Sequence, residues 1–434
     1  MSIYSENKKQ QTVFILEAAF EYFVAIMIGG ASLTSILNQA GVPDSVSGVL
    51  SSLAILSYAA QLVSANLDKA KGKYKTAMCI LRSVNELMFA LLYVVPFFDI
   101  PSNVKTLLLV TLLMLGQLIM NFTTPSKLNW LVSMVPDKQR GAFNARKEAF
   151  SLVTGMIFTI IMGRVIDYYK EIGETKTGFY ICCAVVIVSS VFHIVCITLC
   201  RKPQKAEEKK TGSVCCSLKS LFNNKTFRML IVVDILWHAT TGASAFGSVY
   251  QLNTLGFSLT FISVIGALSS VARIFVSFPM GKYADRKSWA HMMRIAFCFA
   301  GLAFLFYSFS SPSNGKIVFS LYTVFYAVSM AGINSGLSNI TFDYISPDDR
   351  TTAIGIKYAL GGLVGFGASL LGGVVVGFVQ KMGNCVFGLT IYPQQLIAFF
   401  MFLDCMVICI YISKVIFKLK RVTEKTQISD KQTV

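Results

Sequence analysis

The sequence is poor in charged residues, and this excludes an ordinary water-soluble fold. Only 14% of its 434 residues are Asp, Glu, Lys or Arg, whereas 54% are hydrophobic. A soluble chain of this length needs far more charge to cover its surface. We therefore expect most of the chain to lie in lipid.

Motifs of common enzyme and metal sites are also lacking. The chain has only three histidines, scattered at His193, His238 and His291, and no phosphate-binding loop of the glycine and lysine type. Its eleven cysteines contain no C-x-x-C pair. We predict no enzymatic activity, no cofactor, no metal site and no disulfide framework.

Long apolar stretches fill the chain instead. About twelve of them lie near the roughly 20 residues that a helix needs to cross about 30 Å of hydrocarbon. Lipid offers backbone groups no hydrogen-bond partners, so these stretches must be helical. The sequence thus predicts an all-α polytopic membrane protein with twelve transmembrane helices. The predicted spans are 13–38, 45–66, 77–98, 104–134, 145–167, 178–200, 227–252, 258–281, 290–310, 316–343, 352–380 and 394–417.

The longest polar segment divides six predicted helices from six. We predict a first six-helix bundle at 1–200, a cytoplasmic linker at 201–226, a second bundle at 227–418 and a cytoplasmic tail at 419–434.

The net charge of +17 is distributed unevenly between alternate loops. One set of loops holds only Lys105, Lys170, Lys176, Lys316 and Lys381 of the 39 basic residues. By the positive-inside rule the other set, with both termini, is cytoplasmic. We predict an integral protein of the plasma (inner) membrane whose basic residues meet anionic lipid headgroups. Nucleic-acid binding is not expected, because no platform of aromatic and basic residues occurs.

Two loop sequences recur in the second half. The stretch MVPDKQRGAF at 134–143 matches ISPDDRTTAI at 345–354, and LDKAKGKYK at 67–75 matches YADRKSW at 283–289. The separations are 211 and 217 residues, and the matches occupy corresponding loops. This predicts a parallel repeat of two six-helix units.

These loops carry a resemblance to a known family. Gly281, Asp285 and Arg286, with a weaker copy at Asp68 and Gly72, resemble the Gly-x-x-x-Asp-Arg-x-Gly-Arg-Arg loops of the major facilitator superfamily of secondary transporters. The likeness covers nearly the whole chain. It implies two six-helix bundles and alternating access.

The resemblance further implies an inner gate. We expect Gly281 to permit close helix approach and Asp285 to accept hydrogen bonds from amides at a neighbouring helix N-terminus. The alternative is that the basic residues of these loops only set topology. The candidate gating residues are Asp68, Gly72, Arg140, Gly281, Asp285, Arg286 and Arg350.

Acidic residues inside the spans are the strongest functional signal. Inserting a central Asp or Lys costs roughly 2.5 to 3.5 kcal/mol, so such groups usually face a cavity or a partner. Glu17 and Glu21 share one helix face, as do Asp234 and His238. We predict that these four residues couple transport to an ion. Alternatively, Glu17 reaches interfacial water and His238 is a structural partner of Asp234.

In the family, helices 1, 4, 7 and 10 line the central cavity, and the resemblance assigns their polar residues to substrate. The candidate substrate-binding residues are Glu21, Gln117, Asn121, Asp234, His238 and Asn334. The amides among them could instead join helices by hydrogen bonds. We assign Glu86, Arg273 and Asp404 to structural pairs near helix ends or to inter-helix contacts.

The predicted function is transport of a small polar solute, such as a sugar, with coupling to protons or a monovalent cation left open. The fifth helix lacks the proline-bearing glycine motif of drug antiporters, which disfavours efflux antiport and leaves it as the alternative function within this fold. A transport-incompetent sensor is the third alternative, since fold does not fix function.

Overall fold

The structure is a computed structural model that describes residues 3–61, 74–132, 140–201, 221–345, 350–386 and 389–419. The predicted gating residues Asp68 and Gly72 lie outside the described residues, as do most of the predicted linker and nearly all of the predicted tail.

The described chain is almost entirely helical. Its helices are α1 (Ile3–Met27), α2 (Gly30–Gln39), α3 (Asp44–Ser51), α4 (Leu53–Leu56), α5 (Tyr74–Leu91), α6 (Ser102–Val132), α7 (Arg140–Glu171), α8 (Thr175–Leu199), α9 (Lys225–Ala243), α10 (Leu259–Arg286), α11 (Trp289–Ser308), α12 (Gly315–Tyr344), α13 (Arg350–Lys381) and α14 (Pro393–Lys414). Shorter helical turns are Val95–Phe97, Ser244–Phe246, Gly247–Val249, the π-helical Tyr250–Thr254, and Ile416–Lys418. Two strands, β1 (Cys385–Val386) and β2 (Leu389–Thr390), form an antiparallel hairpin.

Within the described residues, nine helices are long and apolar enough to cross a membrane, or ten if the bent pair α1–α2 counts as one span. The membrane-protein class is thus confirmed. The predicted span 45–66 is represented by the short α3 and α4 before the described chain stops at residue 61. The predicted span 77–98 corresponds to α5, which carries three charged side chains, at Lys75, Arg82 and Glu86.

The first predicted span, 13–38, is not one straight helix. It bends by 42° between Met27 and Gly30. Gly30 has φ +51°, a left-handed conformation that glycine adopts without steric penalty. The glycine pair therefore ends α1 and starts α2 in a new direction.

The described chain forms two compact units. Unit 1 comprises Met1–Glu208 with Ser248–Ala267, and unit 2 comprises Lys209–Gly247 with Leu268–Val434. The segment 248–267 belongs to the second predicted bundle by sequence but packs with unit 1.

Each unit uses the same helix pairings. In unit 1, α1 packs on α7 and α8, and α5 packs on α6 and α8. In unit 2, α9 packs on α13 and α14, and α11 packs on α12 and α14. If the predicted spans of each half are numbered one to six, both halves pair span 1 with spans 5 and 6, and span 3 with spans 4 and 6. This agreement supports the predicted repeat.

Small residues bring helices close in unit 2. A Cβ added at Gly242 of α9 would lie 1.8 Å from the Gly365 carbonyl oxygen of α13, so the two backbones are in direct contact. Gly361 and Gly372 of the eleventh predicted helix also pack closely, against His238 and Phe246, as expected, whereas an added Cβ at Gly367 would meet no atom of the described residues within 4 Å. At Gly281, likewise, an added Cβ would meet no atom of the described residues within 4 Å. Among these residues the close approach expected at Gly281 is not observed.

Candidate functional site

Six ionisable side chains meet inside unit 1. They are Glu17 and Glu21 of α1, Arg82 and Glu86 of α5, Lys127 of α6 and His193 of α8. We call this set the six-residue cluster. Five of its members are at most 5% exposed, and only the Glu21 side chain, at 27%, reaches accessible space.

Helical periodicity accounts for the cluster locally. Glu17 and Glu21 are four residues apart, as are Arg82 and Glu86, so each pair projects from one face of its helix. Because α5 packs on both α6 and α8, and α1 packs on α8, these faces converge.

Lys127 bridges the two carboxylates of α1. Its Nζ lies 2.8 Å from Glu17 Oε1 and also bonds to Glu21 Oε2. On the other side, Arg82 Nη1 donates to Glu21 Oε1 at 2.7 Å and Arg82 Nη2 donates to Thr124 Oγ1 at 3.0 Å. Both basic groups thus hold Glu21, while Glu17 is the deeper carboxylate. The alternative that Glu17 reaches interfacial water does not fit its full burial.

His193 joins the two most deeply placed carboxylates. Its Nε2 lies 2.9 Å from Glu17 Oε1, and its Nδ1 bonds to Glu86 Oε1. The remaining oxygens, Glu17 Oε2 and Glu86 Oε2, have no hydrogen-bond partner among the described residues. Glu86 therefore makes an inter-helix contact, one of the two roles expected for it, and through His193 it joins the same network as Glu17.

A cavity of about 210 Å³ lies beside the cluster, between α1, α2, α3, α4 and α6. It is lined by Gln117 and Asn121 and by Met120, whose carbonyl oxygen accepts from Arg82. Ala25 also lines it, one helical turn beyond Glu21. Cluster and cavity therefore share helices α1 and α6.

The two predicted amides behave differently in this cavity. Asn121 Nδ2 donates to Ser57 Oγ at 2.7 Å, and its Oδ1 accepts from Gln61 Nε2 at 2.9 Å. Asn121 thus joins helices, the alternative reading of the sequence. Gln117 is 4% exposed and its Oε1 has no hydrogen-bond partner among the described residues. A buried, unsatisfied carbonyl oxygen at a cavity wall is available to a ligand donor.

Among its described residues, unit 2 contains one buried ion pair. Lys357 Nζ of α13 lies 2.9 Å from Asp234 Oδ2 of α9, and both side chains are 3% exposed. Lys357 also donates to the Leu337 carbonyl at 2.8 Å and to Thr341 Oγ1 at 2.9 Å. Asp234 and His238 do not form the side-chain pair considered from their spacing, because His238 Nδ1 bonds to the Asp234 backbone carbonyl at 2.7 Å.

The remaining predicted residues lie apart from these buried groups. Asn334, Asp285 and Arg286 are exposed. Arg140 and Arg350 are the first residues of α7 and α13, and their side chains are outside the described part of the structure. The inner gate is therefore neither assembled nor contradicted within the units.

Unit 1 also contains polar contacts at the end where α2 and α7 stop. Asp167 accepts from the backbone N–H of Leu259 at 3.1 Å and of Thr260 at 2.7 Å, and so caps α10. The Asn253 amide bonds to the Asn38 amide and to Asp44. Four of these residues, none of which was predicted as a site residue, line a second cavity of about 600 Å³: Asn38, Asp167, Asn253 and Leu259.

Comparison with known proteins decides the family. The sequence model described as Major Facilitator Superfamily matches residues 14–369. The chain belongs to the major facilitator superfamily. No curated protein sequence matches it significantly.

Solved structures of this superfamily share its fold. A variant of the nucleoside transporter NupG is 14% identical, with a TM-score of 0.70 over 93% of this chain and 99% of that one. A D-xylose-proton symporter is 12% identical, with a TM-score of 0.67 over 95% and 98%. The E. coli fucose:proton symporter FucP is 13% identical, with a TM-score of 0.56 over 96% and 100%. At such identities the likeness shows the fold alone.

Sequence reasoning missed the basic half of both ion networks. Arg82, Lys127 and Lys357 were not considered, and His193 was counted only as evidence against a metal site. The signal was present, because a Lys inside an apolar span costs as much to insert as an Asp. Lys127 and Lys357 therefore deserved the same attention as Glu21 and Asp234.

Proposed function

We propose that this superfamily member is a secondary active transporter that moves a small polar solute, sugar-like or nucleoside-like, by alternating access and in symport with protons. The observation that carries the proposal is the cavity beside the six-residue cluster, where the partly exposed Glu21 lies one helical turn from the cavity wall.

The cavity favours a small solute with hydroxyl groups. Its volume of about 210 Å³ is below the roughly 300–1,000 Å³ typical of pockets for drug-sized ligands. The unsatisfied Gln117 carbonyl would accept a hydrogen bond from a hydroxyl, while Asn121 is already bonded to Ser57 and Gln61. We infer that Gln117 contacts the solute and that Asn121 fixes the cavity wall.

The solved relatives support this solute class. One transports a nucleoside, and two others are named as proton symporters of D-xylose and of fucose. Their solutes are small and carry several hydroxyl groups. The relatives include a peptide transporter as well, so a dipeptide belongs in any screen.

Proton coupling is favoured by the charges of unit 1. Three carboxylates face two basic side chains and one histidine. The histidine is the one member of the set whose ordinary pKa, about 6.5, lies near physiological pH. Gain or loss of one proton therefore decides whether the cluster is neutral or negative.

We further propose that Asp285 and Arg286 act at an inner gate with Arg140 and Arg350, and that both termini face the cytoplasm at the plasma membrane. The loop motif and the asymmetry of the basic residues support these assignments.

Uptake into proteoliposomes tests the proposal. The purified full chain would be offered labelled nucleosides, pentoses, hexoses and dipeptides, with and without an inward proton gradient. We expect one of the hydroxyl-bearing classes to accumulate above its external concentration, and a protonophore to abolish the accumulation.

Three outcomes would overturn the proposal. Accumulation driven by sodium at constant pH would replace protons by another cation. Exchange of a solute for internal protons would make the protein an efflux antiporter. No movement of any solute under any gradient would make it a sensor.

A further inference from the structure

We propose that Glu17, His193 and Glu86 form the proton-binding site of this transporter and that the structure represents its proton-loaded state. The inference deepens the function proposed above, because it assigns the coupling proton to three named side chains. We call these three residues the triad.

The hydrogen-bond geometry requires one extra proton. Both ring nitrogens of His193 face a carboxylate oxygen, Nε2 facing Glu17 and Nδ1 facing Glu86. A neutral imidazole has one N–H and one lone pair, and an ionised carboxylate is an acceptor only. With neutral His193 and two ionised glutamates, one contact would place a lone pair against a negative oxygen. The contacts are satisfied only when His193 is doubly protonated or when one glutamate carries the proton.

Charge neutrality leads to the same count. Glu17, Glu21 and Glu86 contribute three negative charges, and Arg82 and Lys127 contribute two positive ones. One additional proton makes the cluster neutral, and its loss leaves one net negative charge among side chains that are nearly all buried. An uncompensated charge in such a place is costly.

In the described part of the chain, the charged groups nearest to His193 all belong to the six-residue cluster. From α1 it faces Glu17, with Glu21 one turn away, and from α5 it faces Glu86, with Arg82 one turn away. From α6, Lys127 shares the oxygen of Glu17 that His193 contacts.

Helix α7 also packs on α8 but sends no described charge into the triad. Its Arg146, Glu148 and Arg164 are exposed, Lys147 lies over the ring of Phe14, and Asp167 caps α10. On α8 itself, the groups next along the chain are the thiols of Cys196 and Cys200.

Two orphaned oxygens provide independent support. Glu17 is 0% exposed and Glu86 is 2% exposed, yet Oε2 of each has no hydrogen-bond partner among the described residues. A buried carboxylate oxygen without a donor is poorly solvated as an anion. A positive charge on His193, or a proton on the glutamate oxygen that faces it, therefore stabilises these carboxyl groups.

Loss of the proton would be transmitted to the cavity through one atom. Glu17 Oε1 accepts from both His193 Nε2 and Lys127 Nζ, and Lys127 also holds Glu21. After loss of the proton, repulsion between His193 and the facing carboxylate of Glu17 or Glu86 would shift Glu17. The hydrogen bonds of Lys127 would then strengthen to one of its two partners, Glu17 or Glu21, and weaken to the other. Lys127 and Thr124 lie on the same helix as the cavity residue Met120, at spacings that share a face.

The test is to determine, in the purified full chain, which ring nitrogens of His193 carry a proton. The protein would be labelled with ¹⁵N-histidine, and ring nitrogen signals would be recorded from about pH 6 to about pH 10, which spans the ordinary pKa of histidine and stops near that of lysine. With three histidines in the chain, His238→Gln and His291→Gln assign the remaining signal to His193. We expect no titration of His193 near pH 6.5 and two hydrogen-bonded ring nitrogens until a higher pH.

Glu86→Gln is the decisive variant. A glutamine amide can donate to the lone pair of His193 Nδ1 while His193 Nε2–H donates to Glu17, so the triad is satisfied without the extra proton. We expect a neutral His193 whose signals do not change across the pH range. In proteoliposomes this variant should retain solute exchange at equilibrium but lose accumulation driven by a proton gradient. His291→Gln, outside the cluster, should behave as wild type.

Several results would overturn the assignment. They are a His193 signal that titrates near pH 6.5 in the wild type, a wild-type ring nitrogen that makes no hydrogen bond, or full proton-driven accumulation by Glu86→Gln. Since the spectroscopic result does not depend on transport, a wild type that is uncoupled but shows the expected signals would refute the proposed symport and leave the proton site standing.

Discussion

Lys357 Nζ and Asp234 Oδ2 lie 2.9 Å apart inside unit 2, each almost completely buried. In unit 1, Lys127 likewise contacts the carboxylates of Glu17 and Glu21, but it lies on α6 and not on α7, the helix that matches α13 in the repeat. Each unit therefore pairs an acidic residue of its first long helix with a lysine. Unit 1 adds a histidine and two further charged residues, whereas the described part of unit 2 adds the Thr341 hydroxyl and a carbonyl.

Removing one partner of the unit 2 pair should destabilise the protein strongly. We expect Lys357→Met to cost about 3–5 kcal/mol, because it leaves the Asp234 carboxylate buried without its cation. The double variant Asp234→Asn with Lys357→Met should recover most of that loss, since no charge remains. Unfolding midpoints of both variants measure this, and a double variant no more stable than Lys357→Met would show that the pair is not isolated.

Glu21→Gln should uncouple transport from the proton gradient. Glu21 is the partly exposed member of the cluster and holds both Arg82 and Lys127, so its neutralisation leaves one excess positive charge beside the cavity. We expect gradient-driven accumulation to fall to simple equilibration. The matched control is Glu171→Gln, which breaks an exposed pair with Arg164 and should change little. Wild-type pH dependence in Glu21→Gln would remove this residue from the mechanism.

Gln117→Leu should separate stability from solute binding. The substitution removes a buried carbonyl oxygen that has no hydrogen-bond partner among the described residues and puts an apolar side chain of similar size in its place, so stability should be unchanged or higher. Loss of a hydrogen bond to the solute should weaken binding by about 1–3 kcal/mol, roughly 5- to 150-fold. Binding titrations test this, with Thr111→Val on the exposed face of the same helix as control. Equal affinities would exclude Gln117 from the site.

Asp285→Asn tests the inner gate. Asp285 is exposed at the end of α10 and has no hydrogen bond to a described residue in unit 2, so its substitution should leave the unfolding midpoint nearly unchanged. If it holds a gate, the carrier should favour one orientation and turn over more slowly. Transport rates identical to wild type would leave the motif with a purely topological role.

The sequence predicts the helical membrane fold well because the physics is local. Twenty apolar residues in lipid must form a helix, whatever their neighbours. The sequence did not predict features that depend on one backbone angle or on contacts between distant helices. The left-handed φ of Gly30 breaks the first span, and α5 tolerates Arg82 and Glu86 only because both have partners on other helices.

For the site, spacing identified Glu17, Glu21 and Asp234 but not what they bind. Lys127 and His193 lie 110 and 176 residues from Glu17 along the chain. Lys357 lies on a different helix of unit 2 from Asp234. Which helix faces meet is decided by packing, and a single sequence does not reveal it. The i, i+4 rule even misled in one case, because His238 bonds to the backbone of Asp234 and not to its carboxylate.

Proton movement accompanying solute entry tests the central claim most directly. Proteoliposomes containing the wild-type chain and an internal pH indicator would receive, at equal pH on both sides, the solute found in the uptake screen. Proton symport predicts acidification of the lumen that follows solute uptake and is absent in Glu21→Gln. Uptake of the solute with no change in internal pH would contradict the account.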